Sequence, residues 1–190
     1  MTFPERDKVD LDAAEQAVRL LLYALGEDPE REGLRETPRR VAKFYGEWLD
    51  RRAVEFTSFA SEGMDELVVQ RGIPFFSLCE HHMLPFFGTA TVGYLPNGRI
   101  IGLSKLARAV RVSSECLQNQ ERITMRVADL LEKELSPRGV GVVLRARHLC
   151  MEMRGVRAHG TETVTSRLRG VLLEDQRARA EFLSLAGEGG

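Results

Sequence analysis

The chain has 190 residues, 27 of them Lys or Arg and 28 Asp or Glu, for a formal net charge of −1. That balance argues against a dedicated nucleic-acid binder, which needs a basic surplus, so any phosphate site has to be a local cluster. The longest wholly apolar run, Leu20 to Leu25, is far too short to span a bilayer, and Met1 to Lys8 mix charges, so neither a membrane span nor a signal peptide is expected and the location is read as cytoplasmic.

Leu11, Ala14, Val18, Leu21, Leu22 and Leu25 recur at helical spacing between Asp10, placed as a cap, and Gly26, which predicts a first amphipathic helix. A second begins at Thr37-Pro38 and carries Val41, Phe44, Tyr45, Trp48 and Leu49 on one face. Residues 51–63 show no period. An N-terminal helical region over 1–63 is therefore expected ahead of a catalytic domain over 64–190, the two forming one functional unit. Leu67, Val68, Val69 and Ile73 suggest a strand. Thr89 to Tyr94 alternate and Pro96-Asn97-Gly98 supplies turn chemistry, so 88–103 reads as a hairpin. Ser104 opens a helix through about Cys116, and another runs from near Asn119 to Leu135, ended by Ser136-Pro137-Arg138-Gly139. Val140, Val142, Leu144, Ala146, His148 and Cys150 then share one face of a strand. Thr161 to Leu173 reads as the last strand and Glu174 to Leu185 as a terminal helix, before a Gly-rich end expected to fray. This order implies an α+β protein with an antiparallel sheet. Its sheet faces and N-terminal helices look too apolar for a small monomer, so an oligomer is expected.

Three cysteines, an odd number with no export signal, point to metal binding or catalysis rather than to disulfides. His81, His82 and His148 each lie within three residues of a cysteine; only His159 stands apart. In a turn, residues i and i+3 meet, so Cys79 and His82 of Cys79-Glu80-His81-His82 can chelate one metal. Alone the motif is weak, and a buried thiol beside exposed imidazoles explains it equally well. Cys150, with His148 two residues before it, adds a third soft ligand. Two thiolates and one imidazole suit Zn²⁺ and leave a fourth position open to water. The thiolates also cancel the metal's charge, so water there is less acidified than at three imidazoles and nearby bases have to help. His81 and His148 are the candidates, the alternative being imidazoles that only support a ligand or pack in the core.

Two further groupings stand out. Ser104-Lys105 at a helix start, with Arg108 one turn on, suits an anion, although a capped surface helix gives the same pattern. Lys105 is one of only four lysines against 23 arginines, and Arg154 offers a second cation to the same anion if the strand before it ends near the metal. Gln120-Glu121 opens the next helix, where a carboxylate is also simply a good partner for the helix dipole.

Ser77-Leu78-Cys79-Glu80-His81-His82-Met83-Leu84-Pro85-Phe86 resembles the GTP cyclohydrolase I family. Gly102-Leu103-Ser104-Lys105-Leu106-Ala107-Arg108, Gln118-Asn119-Gln120-Glu121-Arg122, His148-Leu149-Cys150-Met151 and Met153-Arg154-Gly155-Val156 match its other motifs in order, and Thr37-Pro38-Arg39-Arg40-Val41-Ala42-Lys43 is similar to its N-terminal signature. The resemblance implies conversion of GTP and water to 7,8-dihydroneopterin triphosphate and formate, the first step of folate and pterin biosynthesis. It also implies a toroidal homodecamer of the tunnelling fold, an antiparallel sheet with paired helices on one face plus N-terminal helices. Zn²⁺ would be held by Cys79, His82 and Cys150, His81 would protonate N7 of the purine, and His148 would transfer protons on the ribose side. Ser104, Lys105, Arg108 and Arg154 would hold the triphosphate or ribose, Gln120 and Glu121 would read the base, and Arg40 would reach a neighbouring subunit's triphosphate. Two positions depart from the family's pattern: Cys116, where an arginine is usual and a buried thiol is expected, and Asn119, where an apolar residue is usual. A related nitrile reductase with a nicotinamide cofactor would show one lone reactive cysteine. A zinc-stabilised scaffold would leave His81, His148, Lys105 and Arg154 without a task.

Overall fold

The computed structural model describes residues 9–49 and 55–187; the expectations for residues 1–8, 50–54 and the Gly-rich end from 188 lie outside the described residues. Contacts gather the chain into two compact units, residues 1–52 and 53–190. In the first, α1 (Leu11–Ala24) opens where the Asp10 side chain accepts from the Ala13 N–H at 2.9 Å, and the chain leaves it through Gly26 at φ +80°. Helix α2 (Thr37–Leu49) carries Pro38 in its first turn, where a missing N–H costs no helical bond. The two helices pack on each other. They nevertheless leave much of their apolar stripe open: no residue of α1 is buried, Leu20 and Leu25 are each 69% exposed, and α2 buries only Pro38 and Ala42. Periodicity gives the helices and their stripe, but not that this chain covers it.

The second unit runs β1 (Ser58–Ala60), β2 (Val68–Cys79), β3 (Pro85–Leu95), β4 (Arg99–Ile101), α3 (Leu103–Ser114), β5 (Leu117–Gln118), α4 (Gln120–Leu135), β6 (Gly139–His148), α5 (Leu149–Glu152), β7 (Thr163–Gly170), α6 (Val171–Glu174) and α7 (Gln176–Leu185). Five strands form one sheet in the order β5-β2-β3-β6-β7, antiparallel except for β5 beside β2. The fold is thus mixed α+β. Strand alternation sorts the two faces. Phe75, Phe86, Ala90, Val92 and Leu144 point to one side, where they bury Leu106 of α3 and Ile123, Val127 and Leu131 of α4. Val143 and Leu168 point to the other and meet Leu172 of α6 and Phe182 of α7. The Phe182 ring sits on Gly93 and Gly141, which face each other across β3 and β6; a Cβ on Gly141 would lie 2.6 Å from the ring and one on Gly93 2.9 Å.

Three expectations are corrected here. Residues 88–103 do not form a hairpin. Gly98 turns the chain at φ +73°, but β2 and β6 already occupy both edges of β3, so β4 pairs with β1 instead, Ser58 opposite Ile101. The strand expected to run through Cys150 ends at His148. Its partner there is Phe86, one residue from the start of β3, so past His148 no neighbour remains to bond and the chain coils into the single turn α5. Cys150 is therefore half-buried on a helical turn, not on the inner face of a strand. The last strand likewise stops at Gly170, φ +55°, and 171–174 are helical.

The register brings the C-terminal end of β2, the start of β3, β5 and the end of β6 to one edge of the sheet: Leu78 lies beside both Pro85 and Leu117, and Phe86 beside His148.

Candidate active site

The Cys79-Glu80-His81-His82 run is the connection between β2 and β3. It closes as a turn because the Cys79 N–H donates to the Leu84 carbonyl at 2.8 Å and the Met83 N–H returns to the Cys79 carbonyl at 2.7 Å, with Met83 in the left-handed region at φ +56°. Both imidazoles reach the Cys79 sulfur through Nδ1, His81 at 3.8 Å and His82 at 4.0 Å. Cys79, His82 and Cys150 form the three-ligand group found among the described residues, their donor atoms all within 4.8 Å of one another. Those separations approach the edges of roughly 3.5–3.8 Å that zinc–thiolate and zinc–imidazole bond lengths set in a tetrahedron. Burial, and then the facing Cys79 thiol, push the Cys150 thiol up. A buried thiol that resists ionising beside a second sulfur is what a dication relieves, and two sulfurs with one imidazole are a donor set that fits a zinc ion.

Each half of this group is anchored by a guanidinium–carboxylate fork. Glu80, inside the turn, accepts from Arg122 of α4 at 2.6 and 3.1 Å and from the Asn119 amide at 3.2 Å, and the Arg122 fork holds its carboxyl below the usual range. Asn119 is also the N-cap of α4, accepting from the Arg122 N–H at 2.8 Å. In α5, Glu152 is only 6% exposed and accepts from Arg147 of β6 at 2.9 and 2.6 Å. Arg147 keeps that carboxyl low as well. These forks carry no local sequence signal. Glu80 sat in view between Cys79 and the histidines, but its partner lies 42 residues away.

His148 is stacked on Phe86, ring centroids 4.6 Å apart and 8° from parallel, and its Nε2 lies 2.8 Å from Gln120 Oε1. Burial pushes the imidazole below its ordinary value, partly opposed by the Glu121 carboxylate. At neutral pH it is therefore an uncharged base. Gln120, expected to read a base, is 1% exposed; its Nε2 donates to the Leu144 carbonyl, the Thr163 carbonyl and Thr165 Oγ1 at 3.1, 2.9 and 3.1 Å. All its side-chain polar atoms are engaged within the protein. Glu121, the next residue, is exposed at the first turn of α4.

The cationic residues lie as follows. Ser104, Lys105 and Arg108 occupy the first two turns of α3, whose N-cap Gly102 offers no side-chain cap. Lys105 Nζ donates to the Glu55 carbonyl at 2.7 Å. Arg154, just past α5, donates from Nη1 to His82 Nε2 at 2.6 Å, which puts a guanidinium against the metal-binding turn. Arg40 is an exposed residue of α2 in the first unit. Cys116 is 1% exposed, with Arg126 Nη1 3.6 Å from its sulfur.

The family model described as GTP cyclohydrolase I matches residues 14–187. A protein named GTP cyclohydrolase 1 from Sulfurihydrogenibium is 54% identical over 178 residues, covering 93% of this chain and 95% of its own. One from Aquifex aeolicus is 53% identical over 93% of this chain and 97% of its own, and one from Halalkalibacterium halodurans 54% identical over 94% and 97%. Among solved structures, the archaeosine synthase QueF-Like in its apo form aligns at a TM-score of 0.46 and 15% identity over 55% of this chain and 93% of that one.

Proposed function

Since the chain belongs to the GTP cyclohydrolase I family, we propose that it hydrolyses the imidazole ring of GTP and rearranges the product to 7,8-dihydroneopterin triphosphate, releasing formate. The observation that carries this reading is the approach of Cys79, His82 and Cys150 to within 4.8 Å at the sheet edge where His81 and His148 also stand. Cys79, His82 and Cys150 would hold Zn²⁺, which when bound would supply a Lewis acid for the attack of water on C8 of the purine. Because two thiolates offset the metal's charge, the protein's own bases carry much of the proton traffic. His81 gives a proton to N7 as the ring opens. His148, neutral at pH 7, moves protons on the ribose side.

Recognition falls to the surrounding polar groups. The Glu121 carboxylate accepts from the guanine N1–H and amino group together, a donor pair that adenine lacks. Ser104, Lys105, Arg108 and Arg154 hold the triphosphate and ribose through charge-assisted bonds, Lys105 leaving the Glu55 carbonyl to do so. Arg40 serves a neighbouring subunit's triphosphate. Residues 64–190 form the catalytic domain and 1–63 the helical region, in a toroidal homodecamer of tunnelling-fold subunits acting in the cytoplasm. The described residues contain no helix long and apolar enough to cross a membrane.

Incubating the metal-loaded protein with GTP, oxidising the mixture and reading pterin fluorescence tests the reaction. Fluorescence that needs both GTP and the metal is expected; its absence at full metal occupancy would overturn the assignment.

A further inference from the structure

We infer that Gln120 is a positioning residue that fixes His148 as the Nε2–H tautomer and thereby makes Nδ1 the atom that exchanges protons with substrate. This rests on the reading above only in giving His148 a substrate; the tautomer itself follows from the hydrogen-bond accounting. An amide can face its neighbours in two ways, with oxygen and nitrogen exchanged. Here one end of the Gln120 amide meets two backbone carbonyls, Leu144 at 3.1 Å and Thr163 at 2.9 Å. Carbonyls only accept, so that end must be NH₂ and the oxygen must face His148.

The hydroxyls beside it agree on the same direction. Thr124 Oγ1 has one proton and gives it to the Gln120 backbone carbonyl at 2.9 Å. It must then accept from Thr165 Oγ1, 2.6 Å away, which leaves Thr165 a lone pair for the Gln120 amide at 3.1 Å. Each donor has an acceptor, and the chain of bonds ends at Gln120 Oε1. That oxygen cannot donate, so the proton between it and His148, 2.8 Å apart, belongs to Nε2. The stacked Phe86 ring holds the imidazole plane while this bond sets its rotation. In neutral His148 the remaining lone pair is then on Nδ1. Neighbouring residues of one helix thus divide the work, Glu121 toward the base and Gln120 toward the catalytic histidine.

The test uses the full-length, metal-loaded protein with ¹⁵N-labelled histidine, the His148 signals being those missing from His148→Asn. We expect a protonated Nε2, an unprotonated Nδ1 and a slowly exchanging Nε2–H proton. Gln120→Met, similar in volume but without an acceptor at that oxygen, should lose the slow proton and lower kcat about tenfold or more, the ceiling being the roughly 10²–10⁴-fold that the acid–base group itself supplies, with KM for GTP and metal content little changed. Thr165→Val leaves both carbonyls in place and should keep the signal. A proton on Nδ1 in the unmutated protein would overturn the assignment without any variant. So would a Gln120→Met protein with the slow proton and full kcat, or loss of the signal in Thr165→Val. If the unmutated protein forms no pterin from GTP, the cyclohydrolase reading fails while the NMR result still decides the tautomer.

Discussion

Adjacent histidines in one turn give the most discriminating test at the residue scale. Both reach the Cys79 sulfur, but only His82 joins Cys150 in the three-ligand group. His82→Ala should lose metal and activity together, since two protein ligands hold zinc poorly. His81→Ala should keep about one zinc per chain and turn GTP over roughly 10²–10⁴-fold more slowly. Elemental analysis beside pterin fluorescence reads both, and metal loss in His81→Ala with retention in His82→Ala would reverse the roles. Glu121→Gln should weaken GTP binding, because an amide cannot accept from both guanine donors and leaves one unpaired at about 1–3 kcal/mol; binding measured by titration and equal to that of the unmutated protein would show that the base is read elsewhere. Residue types and a short spacing made the Cys79–His82 pair legible in sequence, whereas Cys150, far along the chain, joined it through the family motifs. What Gln120 does was not legible, because Leu144 and the two β7 threonines that settle its amide lie 24 to 45 positions away.

At the scale of elements, the turn between β2 and β3 is held to the start of α4 by Glu80, Arg122 and Asn119. The Glu80 carboxyl is lowered by the Arg122 fork, so its linkage has a definite sign. The stabilisation is complete above the ordinary glutamate value of 4.5 and is lost as pH falls through the lower folded value. Both side chains remain partly exposed, which limits the pair to about 1 kcal/mol. Glu80→Gln should accordingly lower Tm near neutrality, and the gap should close as the medium is taken below pH 4.5. A gap independent of pH in thermal melts would mean that the fork contributes no charge term. Helices α1, α2 and α4 were readable because caps and a 3.6-residue period are local signals. The β1–β4 pair was not, since strands of three residues carry no period and their pairing follows from which edges of the main sheet are already filled.

For the whole molecule, apolar surface is what remains unexplained by one chain. Leu20, Leu21, Tyr23 and Leu25 of the first unit are all more than half exposed, and Phe59, Phe76, Leu103 and Val156 of the second are as well. Scattered apolar side chains are ordinary on a monomer, but α1 buries no residue of its stripe, which leaves that stripe to a partner. Light scattering of the active protein should therefore return an assembly much larger than a dimer, with the decamer as the proposed state; a monomer or dimer of full activity would refute it. Within the second unit, the Phe182 seat is sensitive to a single added atom. Phe182→Ala should cost about 3–5 kcal/mol, and Gly141→Ala should destabilise by overpacking, its new methyl sitting 2.6 Å from the ring. Denaturant unfolding of the two variants measures both.

That seat also carries information about synthesis. Gly93 and Gly141 come side by side under the ring only when β3 and β6 are in their native register. A slip of one residue would turn every side chain of the shifted strand to the opposite face. It would bring Val92 or Tyr94 of β3, or Val140 or Val142 of β6, to the place of a glycine, under a ring that tolerates no Cβ there. Phe182 leaves the ribosome only after all five strands of the sheet, so α7 docks only on a correctly paired sheet. Helix α7 thus fits one alignment of β3 and β6 and leaves the misaligned ones without a closed second core.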